Sequence, residues 1–203
     1  MQTNNNKIFL RGRLAAPPSL SHINHGVEYL MLPLSVRRLS GAEDTLHVVA
    51  SREQLEDALP TLEAGSPLTV SGEVRTFNNR SGVGSRLVVS VFARSLSQEE
   101  GEDENRLELL GTLCKPPILR TTPLGRTICD MILASNRRYG RADYLPCIAW
   151  GSLAYRCASM EVGDSMALEG RLQSRIYTKE IDGRTQERTA FEVSIMSLID
   201  EDT

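Results

Sequence analysis

Val162-Gly163-Asp164-Ser165-Met166-Ala167-Leu168-Glu169-Gly170-Arg171-Leu172 has a counterpart in Ala64-Gly65-Ser66-Pro67-Leu68-Thr69-Val70-Ser71-Gly72-Glu73-Val74. Each stretch opens on a Gly-containing turn and runs into alternating residues. Side chains of a strand point to opposite faces in turn. Met166, Leu168, Gly170 and Leu172 therefore share an apolar face that belongs inside. Glu169, Arg171, Gln173, Arg175 and Tyr177 share the other, which places two arginines and an aromatic ring in line on the outside. Gly170 lacks a side chain and allows the strand to bend there.

The correspondence extends outward in both directions, with a period of roughly 99 residues. Leu46-His47-Val48-Val49-Ala50 echoes Leu145-Pro146-Cys147-Ile148-Ala149. Leu34-Ser35-Val36-Arg37-Arg38 echoes Leu133-Ala134-Ser135-Asn136-Arg137-Arg138 with a slip of one residue. Ile8 to Leu14, followed by Pro17-Pro18, echoes Leu107 to Leu113, followed by Pro116-Pro117. Order and spacing hold along the whole length. The chain thus reads as a tandem pair: a first domain over 1–96, an acidic linker over 97–105, a second domain over 106–199 and a short acidic tail over 200–203. The linker, Ser97 to Asn105, has no apolar residue and is expected to be solvated and kept extended by self-repulsion.

The second copy shows the cleaner pattern. Strands are predicted at about 106–113, 126–136, 143–150, 165–177 and 187–198, with a helix at about 152–160 carrying Leu153, Ala154, Cys157 and Met160 at helical spacing. Asp182-Gly183 marks a hairpin tip. Five strands with one helix between the third and fourth is the order of an OB-fold, a Greek-key barrel. The expected class is all-β: two tandem OB-folds, each with a short helix between strands 3 and 4. On strand 3, Leu145, Cys147 and Ala149 face one way, and Tyr144, Pro146, Ile148 and Trp150 the other. Pro146 removes a ladder donor and suggests a bulge or a locally unpaired edge.

Charge sharpens the functional reading. The 203 residues carry a net −3, yet residues 1–96 sum to +2, 97–105 to −5, 106–199 to +3 and 200–203 to −3. Both domains are mildly basic and the acid lies between and after them. Local field decides phosphate binding. Cys114, Cys129, Cys147 and Cys157 form no CxxC pair, and His22, His25 and His47 all lie in the other half, so neither zinc nor another cofactor is expected. The thiols read as small apolar fillers in a reducing compartment. No apolar run spans a membrane, and the polar start has no signal-peptide core, so a cytoplasmic location is expected. There is no nucleophile elbow, phosphate loop or HExxH, and Gly82-Val83-Gly84 does not precede a helix. No enzyme is expected.

Sequence-independent binding of single strands needs cations along the backbone path and aromatic planes for the bases. The second copy has both. Tyr139, Tyr144, Trp150 and Tyr177 lie in or beside strands 2–4, with Arg137, Arg138, Arg141, Arg171, Arg175 and Lys179. Tyr155 and Phe191 are expected to pack locally. Leu133-Ala134-Ser135-Asn136-Arg137, Ala149-Trp150-Gly151-Ser152-Leu153-Ala154, Glu169 to Tyr177, and Glu192-Val193 together resemble the bacterial single-stranded DNA-binding protein family, in its tandem two-OB-fold form. The resemblance covers nearly all of 106–199. It implies that Tyr139, Tyr144, Trp150 and Tyr177 occupy the base-stacking positions, that single-stranded DNA is the ligand, and that two chains pair into a homodimer with four OB-folds. It also implies service to replication or recombination proteins. Family members commonly end in a hydrophobic tip after an acidic tail. This chain stops at Ile199-Asp200-Glu201-Asp202-Thr203, so recruitment by that route is not expected.

The first copy departs from the pattern. Ser40, Thr45, Ser51 and Asn79 align with the four stacking residues. Arg37, Arg38 and Arg75 fit the cationic skeleton, and Phe77 shares a strand face with Arg75 as the remaining stacker. Tyr29, Phe9 and Phe92 lie in apolar contexts and are expected in the core. Two other readings stay open: a protein-interaction module of a primosome or mobile-element replication complex, and RNA binding.

Overall fold

The computed structural model describes residues 6–79, 86–137, 140–181 and 183–199. The first half forms β1 (Asn6–Leu14), β2 (Ser19–Asn24), β3 (Val27–Arg37), β4 (Glu43–Ser51), β5 (Pro67–Asn78) and β6 (Leu87–Ser97). The second forms β7 (Glu104–Leu113), β8 (Ile118–Thr121), β9 (Thr127–Asn136), β10 (Ala142–Trp150), α1 (Ser152–Ala158), β11 (Ser165–Ile181) and β12 (Arg184–Ile199). Two compact units emerge. One comprises Lys7–Arg75 with Val89–Arg106; the other comprises Met1–Asn6, Thr76–Val88 and Leu107–Thr203.

In the second half, β7 pairs with β9, β9 with β10, β10 with β12 in parallel, β12 with β11, and β11 with β7. The ring closes, with the Greek-key order of an OB-fold. The first half repeats it as β1–β3–β4–β6–β5 and back to β1, again with one parallel step, β4 to β6. Leu109, Leu113, Met131, Leu133, Leu145, Cys147, Leu168, Leu172 and Val193 fill the second core. Closure removes the edges that a five-stranded sheet would otherwise expose.

Two glycines of the repeat explain how the barrels close. A Cβ on Gly170 would sit 2.5 Å from the Ser194 carbonyl oxygen, and one on Gly72 2.3 Å from the Phe92 carbonyl oxygen. Only glycine lets these backbones approach so closely. At Gly170 the β11–β12 register also shifts, between Glu169 and Gly170.

Several expectations are corrected. The first domain has no α-helix between its third and fourth barrel strands; two 3-10 turns, Glu53–Leu55 and Leu59–Thr61, take its place. Pro60 withholds a helical donor, and Glu53, Glu56 and Asp57 crowd like charge at helical spacing. The hairpin strands β2 and β8 escape sequence reading because every residue in them is exposed, so no alternation of burial marks them. Pro146 causes no bulge against β9, where the register runs unbroken through Pro146 opposite Ile132. On its other side β10 meets β12 only at Cys147 and Ile148, so the missing donor falls outside that pairing. The acidic segment is not free either. Arg13 Nη2 donates to Glu100 at 2.6 Å, the Arg37 amide donates to Asp103 at 2.7 Å, and Arg11 lies 3.6 Å from Glu104.

Candidate nucleic-acid interface

Register assembles the outer face of the second barrel, because residues directly opposite in a ladder point to the same side. Trp150 lies opposite Ile128, which lies opposite Arg120 on β8. Ile148 lies opposite Asp130 on one side and Ser194 on the other, and Ser194 opposite Arg171. Tyr144 follows Ile148 at the strand period, and Gln173, Arg175 and Tyr177 follow Arg171. One face of the sheet across β8, β9, β10, β12 and β11 thus carries Arg120, Trp150, Tyr144, Arg171, Arg175 and Tyr177, with Ile128, Ile148 and Ser194 buried between them.

The rings on it are available. Tyr144 is 53% exposed and Trp150 38%, while Tyr177 is half-buried with the Arg175 guanidinium 5.7 Å from its ring centre. Tyr155, expected to pack locally, is exposed on α1, with its hydroxyl 3.3 Å from Thr127 Oγ1. It stands next to the strand end that carries Trp150. Phe191, as expected, is not among the exposed residues. The Gln173 side chain departs from its expectation. It is buried on this face, because Glu192 opposite accepts a hydrogen bond from its Nε2 at 3.1 Å. Arg175 Nε lies 3.4 Å from the other Glu192 oxygen, and Arg175 remains half exposed. On β8, Arg120 pairs with Asp130, and that hydrogen bond holds its pKa above the ordinary value. Arg120 gave no sequence signal, because its strand is wholly exposed and short.

Arginines at the β9–β10 turn behave differently. Arg137 donates through Nε and Nη2 to both oxygens of Asp143, which is 1% exposed. Arg38 does the same to Asp44 in the first barrel, at 2.6 and 2.5 Å. The repeat conserves a buried fork across the turn between the second and third barrel strands. Both side chains brace a turn rather than reach outward. Arg138 and Tyr139 lie outside the described residues. Arg141 and Lys179 are exposed.

In the same unit, Thr76 joins the fork. Its amide donates to Asp143 Oδ1 at 2.5 Å, its hydroxyl accepts from the Tyr144 amide at 2.9 Å, and its carbonyl accepts from Arg137 at 3.2 Å. Phe77, the next residue on β5, is 56% exposed.

Arg37 is exposed, and Arg75 lies 4.0 Å over the Phe92 ring, with Nη2 3.2 Å from Glu73. Tyr29, Phe9 and Phe92 are not in the core. All three are half-exposed, because their strand positions face outward.

Residues 104–199 match the model of the single-strand binding protein family. That match spans the second barrel from β7 to β12. Among curated relatives, the single-stranded DNA-binding protein 2 of Listeria innocua is 37% identical over 87 residues, which is 39% of this chain and 54% of the relative. The single-stranded DNA-binding protein A of Bacillus subtilis is 35% identical over 83 residues, 37% of this chain and 48% of the relative. The chain thus spans about half the length of the curated relatives it matches. Two crystal structures of the single-stranded DNA binding protein from Thermus aquaticus cover both barrels. The wild type has a TM-score of 0.77 at 26% identity, covering 98% of this chain and 93% of that one. A deletion mutant has a TM-score of 0.75 at 28% identity, covering 98% and 96%. Tandem OB-folds are therefore the architecture this domain sits in.

Proposed function

We propose that the chain binds single-stranded DNA without base preference, through the outer face of β8–β12. The observation that carries this is the register: Tyr144, Trp150 and Tyr177 fall on one face of the sheet with Arg120, Arg171 and Arg175. Aromatic planes hold bases of any sequence, and cations follow the phosphates. The names of the relatives support the same ligand. Arg141 and Lys179 line the approach as exposed cations, Phe77 adds an exposed ring, and Arg137 and Arg38 act as turn braces. Arg37 and Arg75 serve the first barrel.

No catalytic step belongs to this reading. Among the described residues no helix is long and apolar enough to cross a membrane. The protein works in the cytoplasm, in replication, recombination or repair, as a homodimer of four OB-folds. Light scattering at micromolar concentration should return the mass of two chains; a single-chain mass overturns the dimer. The ligand is tested by titrating the Trp150 fluorescence with oligo-dT at two salt concentrations. Quenching that weakens with salt supports the reading. Absence of both quenching and a mobility shift at low salt overturns it.

A further inference from the structure

The first barrel carries no aromatic residue at the four aligned stacking positions, yet its outer face holds a column of planar groups. The His22 and Tyr29 rings stack in parallel, 4.8 Å apart and 7° from coplanar. Tyr29 lies 5.9 Å from Phe92, and the Arg75 guanidinium caps Phe92 at 4.0 Å. These side chains come from β2, β3, β6 and β5, and the register explains their alignment. His22 is opposite Tyr29, Tyr29 opposite Ser51, Met31 opposite Val49, and Val49 opposite Phe92.

Tyr29 opposite Ser51 is the counterpart of Ile128 opposite Trp150. In the second barrel the ring stands on the third barrel strand and faces an aliphatic residue. In the first, the third strand has serine and the ring has moved across the ladder to the second strand. Opposite residues on one face are near neighbours, so the exchange keeps an aromatic plane at the same place on the barrel. His22 is exposed and extends the plane outward.

We propose that the His22–Tyr29 stack is a second platform for bases of a single strand, used when the strand is long enough to reach beyond the second barrel. This rests on the single-strand reading of the chain. The local charge sets its character. Glu73 holds both Arg75 and Arg94, with Nη2 of Arg94 3.0 Å from its Oε1, and Glu28 holds Arg52 beside Tyr29. Two carboxylates thus offset two of these three guanidinium charges, which leaves one net positive charge near the stack. Binding at this platform is driven mainly by stacking, with a small salt-dependent share.

The test uses the full chain. Ultraviolet crosslinking to a long oligo-dT, followed by tryptic mapping, should place an adduct in peptide 14–37, which contains His22 and Tyr29. Tyr29→Ala should weaken binding of a long oligo-dT at least about 5-fold, with an unchanged salt slope and unchanged affinity for a short one. His22→Ala, at an exposed site, provides the same comparison should Tyr29→Ala lose its fold by circular dichroism. Adducts confined to 107–199, together with unchanged long-strand affinity in the folded variant, overturn the platform while Trp150 quenching persists. Loss of Trp150 quenching in the wild type would instead strike the single-strand reading itself.

Discussion

The Arg137 guanidinium forks onto both carboxylate oxygens of Asp143, and the pair is repeated by Arg38 and Asp44 in the other barrel. Each fork spans the turn between the second and third barrel strands, with the acid almost wholly removed from water. A carboxylate so placed is tolerated because the guanidinium offers two parallel donors.

Breaking a buried pair leaves a charge without its partner, which costs about 3 kcal/mol. Asp143→Ala should therefore lower the stability of the unit that holds it by about that amount, and Asp44→Ala the other unit likewise, as read by denaturant unfolding. Arg137→Gln should lower the melting temperature while leaving the salt slope of oligo-dT binding unchanged. A reduced slope would show that Arg137 meets phosphate.

The exposed rings should carry affinity. Trp150→Ala, Tyr144→Ala and Tyr177→Ala are each expected to weaken oligo-dT binding by about 1–3 kcal/mol, without loss of fold, because all three lie outside the core. Titration by anisotropy of a labelled strand measures this without relying on Trp150.

Arg175 and Arg171 are predicted phosphate contacts. Replacing either by alanine should reduce the log–log salt slope by about 0.7, uniformly across base sequences. A change restricted to one sequence would contradict backbone contact.

Gly170→Ala and Gly72→Ala force a methyl group to within 2.5 and 2.3 Å of carbonyl oxygens. The backbones must part, at a cost of about 2 kcal/mol or more. Thermal unfolding of each variant checks this; wild-type melting for either would show that the barrel can widen.

Burial pushes the Cys157 thiol up from 9.0 to about 11, and raises Cys147 and Cys129 as well. The unfolded thiols ionise first, so between about pH 9 and pH 11 the folded state retains protons that the unfolded state has lost. Stability should fall as pH rises through that window. Below it, these three thiols should resist alkylation until denaturant is added, whereas the half-buried Cys114 should react first. Urea midpoints at stepped pH and mass spectrometry of alkylated protein provide the measurements.

Much of the second barrel could be read along the chain. The apolar parity of Met166, Leu168 and Leu172 found the core face, and Tyr144 with Trp150 found the outer one, since a strand alternates regardless of its partners. Other features were hidden by the lack of any periodic signal. β8 is exposed on both faces, and Arg120 with it. The Gln173 parity was read correctly, but its burial depends on Glu192, which meets it only through the hairpin.

The sequence by itself determined the repeat, the five-strand barrel order of the second copy and the core face of its fourth strand, because these follow from local alternation and turn chemistry. Only the tertiary structure decided which arginines brace the fold and which remain available, and that an aromatic plane missing at Ser51 returns at Tyr29. Those outcomes depend on what stands directly across a ladder, and ladder partners are set by the closure of the barrel rather than by neighbours along the chain.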